Sequence, residues 1–107
     1  MQFYVFLVTV PNMEEAKRIA DKLVGERLAA CVNIVRDIIS TYRWKGKVEV
    51  DEEQLLIIKT SETKVNLIVK RVNELHSYEV PECIAFPIVK GSEKYLNWIE
   101  ENTKLRV

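Results

Sequence analysis

His76 is the only histidine in the sequence, and its neighbours suggest metal chemistry. Two carboxylates, Glu79 and Glu82, follow it closely. Imidazole suits Cu(II), Ni(II) or Zn(II), and carboxylates can add oxygen ligands. One histidine with two flexible carboxylates falls short of a tight site, so further donors would have to come from other subunits. The alternative is a solvated histidine at a helix end, favoured by the helix dipole.

The two cysteines, Cys31 and Cys83, are the remaining soft donors. They lie far apart without Cys-x-x-Cys spacing, and two thiols cannot hold an iron–sulfur cluster. Cys31 has two interpretations. It is either a small buried hydrophobe or a half-exposed thiol facing a cleft between subunits, where it would bind a soft metal.

Other chemistries lack the residues that they require. The sequence contains no Gly-rich phosphate loop, no Gly-x-Ser-x-Gly motif and no RNP1-type basic-aromatic strand. Sixteen basic and sixteen acidic side chains leave no net charge to attract nucleic acid or an anionic membrane. We therefore predict no enzymatic activity, no nucleic-acid partner and no membrane partner.

The first residues, Met-Gln-Phe-Tyr, lack the basic segment and cleavage site of a signal peptide. No apolar run approaches the ~18 residues that span a bilayer. We expect a cytoplasmic protein, in which both thiols are reduced.

Hydrophobic periodicity predicts the elements that position these residues. The 107 residues fit one domain, 1–107. Apolar runs predict strands over 3–10, 31–44, 47–60 and 84–89, and helical spacing predicts helices over 13–27, after Ser61 and after Gly91-Ser92. The order β-α-β-β-α-β with a C-terminal helix predicts an α+β fold of the ferredoxin-like split type.

The second and third strands form a long hairpin around Lys45-Gly46. In this topology the second strand lies at an edge of the sheet. A long apolar edge promotes aggregation unless another chain covers it, and closure by identical subunits is the simplest remedy. The hairpin therefore predicts an oligomer.

Several segments resemble the CutA family, the divalent-cation tolerance proteins. They are Glu26-Arg-Leu-Ala-Ala-Cys-Val-Asn33, Tyr42-Arg-Trp-Lys-Gly-Lys47, Glu53-Gln-Leu-Leu-Ile-Ile-Lys-Thr60, His76-Ser-Tyr-Glu-Val-Pro-Glu82 with Ile84-Ala-Phe-Pro-Ile88, and Tyr95-Leu-Asn-Trp-Ile99. The resemblance implies a homotrimer, similar to the PII-like signalling proteins, and a role in tolerance or binding of Cu(II) and other divalent metals. It implies no established reaction.

The matched segments also imply a cleft between subunits. Its candidate residues are Cys31, Asn33, Trp44, Lys59, Tyr78 and Glu79. Lys59 and Asn33 would contact a small anionic ligand there, with Trp44 or Tyr78 as a wall. Alternatively, Trp44 and Tyr42 pack between subunits, as interface aromatics commonly do. Lys59 is expected to pair with a carboxylate, and Glu79 is the candidate.

Three positions depart from the family pattern. Ser77 stands where a proline is usual, Val8 where some members carry a cysteine, and Cys83 where an aliphatic residue is common. Cys83 is therefore interpreted as a core residue. The sequence favours a divalent-cation tolerance trimer. A PII-like signalling or scaffold trimer and a mainly structural trimer remain as alternatives.

Overall fold

The structure is a computed structural model that describes residues 1–104. Its strands are β1 (Phe3–Val10), β2 (Cys31–Trp44), β3 (Lys47–Ser61) and β4 (Cys83–Pro87), and its helices are α1 (Met13–Gly25), α2 (Val65–Leu75) and α3 (Glu93–Asn102). The strands form one antiparallel sheet in the order β2-β3-β1-β4. The predicted α+β, ferredoxin-like order is confirmed, and β2 lies at the edge as predicted.

Helix α1 begins where its sequence provides a cap. The side chain of Asn12 accepts a hydrogen bond from the Glu15 backbone nitrogen at 2.8 Å. The helix ends at Gly25, two residues before the predicted end. Ser61, predicted to cap the second helix, makes no capping bond, and its hydroxyl lies 2.9 Å from the Thr103 hydroxyl instead. A short 3₁₀ turn, Glu62–Lys64, leads into α2.

One face of the sheet is sealed by α1 and α2. The side chains that meet there alternate along the strands and recur every three or four residues along the helices, as binary patterning requires. The fully buried ones are Phe6, Val8, Val10, Ala16, Ile19, Leu23, Leu56, Ile58, Ile68 and Val72. This cluster is the core of the chain.

The opposite face of the sheet is largely open. Helix α3 covers one end of it, where Ile99 packs with Phe3 and Ala30. Further along, Ile84 and Phe86 pair in register with Leu7 and Val5, and they stay 52% and 45% exposed. The open face of this chain is therefore apolar and only partly covered by the chain itself.

The hairpin extends past the body of the domain. Its turn uses Lys45 and Gly46 at positive φ, 49° and 81°, as a tight two-residue hairpin loop requires. A bulge interrupts the pairing between Val35 and Ile38. There Asp37 adopts φ 56° and its backbone nitrogen donates to the Gln54 side chain at 3.0 Å. Bulges bend a strand and increase its twist, which redirects the tip of the hairpin. Within residues 1–104, no helix has the length and apolar character that crossing a membrane requires.

Candidate functional site

A groove of about 850 Å³ separates the hairpin from the connection between α2 and β4. Residues 40–44 and Glu53 form the hairpin side, and residues 77–82, which we name the strap, form the other side. Thr9 of β1 lies between them. Four predicted site residues line this groove, namely Trp44, Tyr78, Glu79 and Glu82.

His76 anchors the start of the strap from inside the protein. Its side chain has no exposed surface. Nε2 lies 2.7 Å from the Thr9 carbonyl oxygen, and Nδ1 accepts a bond from the Tyr78 backbone nitrogen at 3.0 Å. This pattern corresponds to the Nε2–H tautomer, because a carbonyl can only accept. The interpretation of His76 as a solvated histidine is wrong, and a metal at either nitrogen would have to displace one of these bonds.

Glu15 is the second internal anchor of the strap. It is buried, and its Oε2 accepts a bond from the Ser77 backbone nitrogen at 3.0 Å. The same oxygen lies 3.3 Å from His76 Nδ1. A buried polar group without a partner is costly, so the bond from Ser77 to Glu15 fixes α1 and the strap relative to one another.

Tyr78 connects the strap to the hairpin. Its hydroxyl donates to Glu53 Oε2 at 2.8 Å, and its ring centroid lies 4.7 Å from that of His76. Burial first, and then the bond to Glu53, raise the pKa of Tyr78 well above its usual value. Tyr78 is therefore a neutral donor that holds the buried Glu53 carboxylate in place. Glu79 and Glu82 remain exposed.

The hairpin side of the groove is aromatic. The Tyr42 hydroxyl donates to Asp51, and this bond is the largest cause that raises the pKa of Tyr42 to about 12. Trp44 is 40% exposed, and the ammonium of Lys45 lies 5.7 Å from the centroid of its ring. Tyrosine and tryptophan faces therefore stand beside carboxylates.

The other predicted residues form a separate cluster on the open face. Cys31 pairs in register with Lys59, and Lys59 donates to the Asn33 side-chain oxygen. The thiol of Cys31 lies 3.8 Å from that oxygen. Tyr95 of α3 is close by, since burial and then Cys31 raise its pKa. The predicted Lys59–Glu79 pair does not form within residues 1–104 of one chain, where Asn33 is the partner of Lys59.

The two groups lie at opposite ends of the hairpin. Trp44 pairs with Lys47, and Lys59 lies twelve residues further along β3. At roughly 3.3 Å per residue this is about 40 Å along the strand. The longest dimension of the described chain is 46 Å. One chain therefore does not bring the six predicted cleft residues into one cleft.

No ready-made metal centre occurs among residues 1–104, where no three His, Cys, Asp or Glu groups converge. Cys83 packs against the core cluster, and burial raises its pKa to about 11, so its thiol stays protonated at neutral pH. Cys83 is a core residue, as predicted. Cys31 is half-buried on the open face, so it is not a fully buried core residue, and its place in a cleft between subunits stays a prediction.

Sequence reasoning missed Glu53 in the groove and Glu15, which holds the strap from α1, and it named Tyr42 only as a residue that packs between subunits. Glu15 drew notice only for its spacing from Asn12, which suggested a capping box. The backbone half of that box forms, but the Glu15 side chain bonds to the strap. Tyr42 and Glu53 begin two of the matched segments, so the signal was present and was not used.

Residues 4–102 match the family model for the CutA1 divalent ion tolerance protein. The chain belongs to this family. The match covers both the groove and the open-face cluster. It thus confirms the resemblance seen in the separate segments.

Named relatives of this CutA1 family member include plant and bacterial proteins. The chloroplastic protein CutA of Arabidopsis thaliana is 52% identical over 100 residues, which are 94% of this chain and 55% of that protein. The divalent-cation tolerance protein CutA of Thermus thermophilus is 52% identical over 99 residues, 92% of this chain and 96% of that protein. The chain thus spans about half the length of its plant relatives and nearly all of the Thermus one.

Solved CutA structures have the same fold. CutA from Xylella fastidiosa superposes with a TM-score of 0.94 at 40% identity, covering 97% of this chain and 100% of that one. CutA1 from Oryza sativa superposes with the same TM-score at 49% identity, covering 97% and 95%. The long hairpin and the three-helix arrangement are therefore features of the family.

Proposed function

We propose that this CutA-family chain acts as a homotrimer that binds Cu(II) or a related divalent cation with groups from more than one subunit. The names of its relatives support the coarser role, tolerance of divalent cations. A cytoplasmic location stays a prediction, since relatives are named as chloroplastic and periplasmic. No catalytic reaction is proposed.

The open surface of the sheet supports the oligomer and carries the proposal. Phe86 and Ile84 are exposed on the open face, and Ile39 is 71% exposed on the edge strand β2. Contiguous exposed apolar surface of this kind marks an interaction site. A bare edge strand offers unpaired backbone groups to another chain. Copies of the same chain satisfy both needs at once.

The arrangement of the donors supports a site shared between subunits. Divalent cations require several ligands at short distance, and no three candidate groups converge in residues 1–104 of one chain. Glu79 and Glu82 are exposed on the strap, and the Cys31 thiol is half-buried on the open face. Association would place such donors opposite those of a neighbour.

A dissociating variant tests the oligomer and the shared site together. Light scattering is expected to give three times the 12.5 kDa chain mass for the parent and one chain for Phe86→Glu. Cu(II) titration by calorimetry should show binding to the parent and none to Phe86→Glu. Asn66→Glu places the same charge on the exposed side of α2 and should behave as the parent.

Two results would contradict this proposal. A parent that scatters light as one chain removes the trimer. A folded Phe86→Glu monomer that binds Cu(II) as tightly as the parent removes the shared site. Circular dichroism establishes that the variant is folded, and Ile84→Glu offers a second way to dissociate the subunits.

Lys59 favours a second function, a PII-like trimer that binds a small anion. Within residues 1–104, no carboxylate lies within 4.0 Å of its ammonium, and Asn33 is its partner. A half-buried cation without a counterion suits an anionic ligand. In a thermal-shift screen, phosphate or citrate should then raise the melting temperature of the parent but not that of Lys59→Gln. Under the first function, Cu(II) and neither anion should raise the melting temperature of both the parent and Lys59→Gln.

A further inference from the structure

Two residues of the hairpin adopt a backbone conformation that side chains disfavour. Asp37 lies in the bulge at φ 56°, and Lys45 lies in the turn at φ 49°. Glycine adopts this left-handed region without steric cost, whereas residues with a Cβ atom rarely do. The second turn residue, Gly46, is a glycine at φ 81°. The hairpin therefore holds two unfavourable residues, one in its bulge and one in its turn.

The bulge and the turn are linked, because together they set the register of the hairpin tip, residues 38–53. At the bulge, Arg36 and Asp37 of β2 lie opposite the single residue Gln54 of β3. Without the bulge, the pairing of the whole tip would shift by one residue. The turn would then contain three residues, 44–46, in place of two.

This alternative register would relieve both unfavourable residues. A three-residue hairpin loop consists of a type I turn followed by one residue in the left-handed region. Gly46 would occupy that last position. Lys45 and Asp37 would both return to negative φ. Local backbone preferences therefore favour the alternative register, so side-chain contacts have to select the observed one.

The choice of register determines which side chains face the groove. In the observed register, Tyr42 and Trp44 lie on the same face as Glu53, and all three line the groove. A slip by one residue turns the side chains of a strand to the opposite face of the sheet. Tyr42 would then leave the groove and lose its bond to Asp51, and Trp44 would move into the loop.

Gln54 makes a buried contact that depends on the bulge. Its side chain is buried, and its Oε1 accepts a bond from the Asp37 backbone nitrogen at 3.0 Å. In the alternative register Asp37 would lie opposite Glu53, and this bond would be lost. A buried acceptor without a partner is costly. The Tyr42–Asp51 bond favours the same register, but it is exposed, so water can replace it.

We propose that Gln54 is the positioning residue that sets the register of the hairpin tip. Its bond to Asp37 stabilises the bulge against the backbone cost, and the bulge in turn directs Tyr42 and Trp44 toward the groove. This inference goes beyond the proposed function, since it holds for any ligand of the groove and for any oligomeric state.

Disulfide trapping in the native oligomer tests the register directly. Thr41→Cys/Val50→Cys places two thiols opposite each other in the observed register. Thr41→Cys/Glu49→Cys does so only in the alternative register, because positions 41 and 49 lie on opposite faces in the observed one. After oxidation, peptide mapping distinguishes these bridges from those that the natural cysteines form. With Gln54 present, the 41–50 bridge should form and the 41–49 bridge should be minor.

Substitution of Gln54 should change the ratio of the two bridges. Gln54→Met removes the acceptor at nearly the same size and should raise the yield of the 41–49 bridge about fivefold or more. Gln54→Glu keeps an acceptor oxygen and should retain the original ratio. General destabilisation of the hairpin does not predict a gain of one specific bridge.

Two substitutions of Asp37 provide a second test with opposite signs. Asp37→Val places a β-branched residue at positive φ and should raise the 41–49 yield about tenfold. Asp37→Gly removes the cost of positive φ. When combined with Gln54→Met, it should lower the 41–49 yield about threefold or more.

Four results would overturn the inference. An unchanged 41–49 yield in Gln54→Met would show that Gln54 does not set the register. An equal rise in Gln54→Glu would show that the acceptor oxygen is not the cause. Equal yields for the two substitutions of Asp37 would remove the backbone cost from the balance. Loss of both bridges in Gln54→Met would indicate an unpaired hairpin tip and no alternative register.

Discussion

The two faces of the sheet are built from alternate residues of the same strands, and they differ in how far the chain buries them. On one face, Leu56 and Ile58 are fully buried under α1 and α2. On the other face, the neighbouring Leu55 and Ile57 are only partly buried, and Phe86 is 45% exposed. The chain therefore stabilises itself through one face and leaves the other for further molecules. Both faces are apolar, so apolar character alone does not reveal which one the chain covers itself.

The largest expected effect separates the two faces at adjacent positions. Ile58→Ala removes a fully buried side chain and should lower the free energy of unfolding by about 2–5 kcal/mol. Ile57→Ala should cost a single chain clearly less than Ile58→Ala, because its side chain is only partly buried by that chain. Its main effect should be on association. Denaturant unfolding at several protein concentrations measures both quantities.

The concentration dependence provides the control for this comparison. For the parent and Ile58→Ala, the unfolding midpoint should rise with protein concentration, as it does for any oligomer. For Ile57→Ala, we expect dissociation at higher concentrations than for the parent. Equal effects of the two variants at every concentration would contradict a difference between the faces.

An intermediate effect is expected where the strap connects α2 to the edge strand β4. Glu15→Ala leaves the Ser77 backbone nitrogen without its acceptor and should cost about 1–3 kcal/mol. Glu15→Gln keeps an acceptor oxygen and should cost clearly less. Thermal unfolding measures both, and the ring chemical shifts of Tyr78 report whether the strap has moved. Equal costs for Ala and Gln would contradict this role of the acceptor oxygen and would indicate that the negative charge of Glu15 is what stabilises the fold.

The sequence predicted the elements and their order because each depends on local patterns. Asn12 before an apolar stripe marked the start of α1, and Lys45-Gly46 marked the hairpin turn. The edge position of β2 followed from the topology. These features need no knowledge of distant contacts.

The site was less predictable, because its geometry depends on tertiary contacts. The burial of His76 results from its contact with Thr9, which is 67 positions away. The separation of Lys59 from Trp44 follows from the strand register. The bulge places Asp37 at positive φ, and no glycine in the sequence at that position predicts it. The resemblance could name the residues of the two clusters but not assign them to different ends of one hairpin.

The smallest effect is expected on the outside of the helical layer, away from both faces of the sheet. There Arg71 of α2 makes two bonds to the Glu26 carboxylate, at 2.9 and 2.7 Å, and these bonds are the first cause that lowers the pKa of Glu26. Glu26 is exposed, so solvent screens the pair. At neutral pH, Glu26→Gln should lower the melting temperature by only about 1–3 °C.

The sign of its pH dependence follows from the direction of the pKa shift. A carboxylate whose pKa is lower in the folded state stabilises fully above its unfolded pKa of about 4.3, and the stabilisation is lost as the pH falls through the folded value. The difference between the parent and Glu26→Gln should therefore vanish in acid. Glu74→Gln, which removes the weaker 3.5 Å contact of Arg71, should have a smaller effect throughout. A difference at Glu26 that persists or grows in acid would contradict the charge pair with Arg71 as its cause, because glutamine has nearly the same size as protonated glutamate.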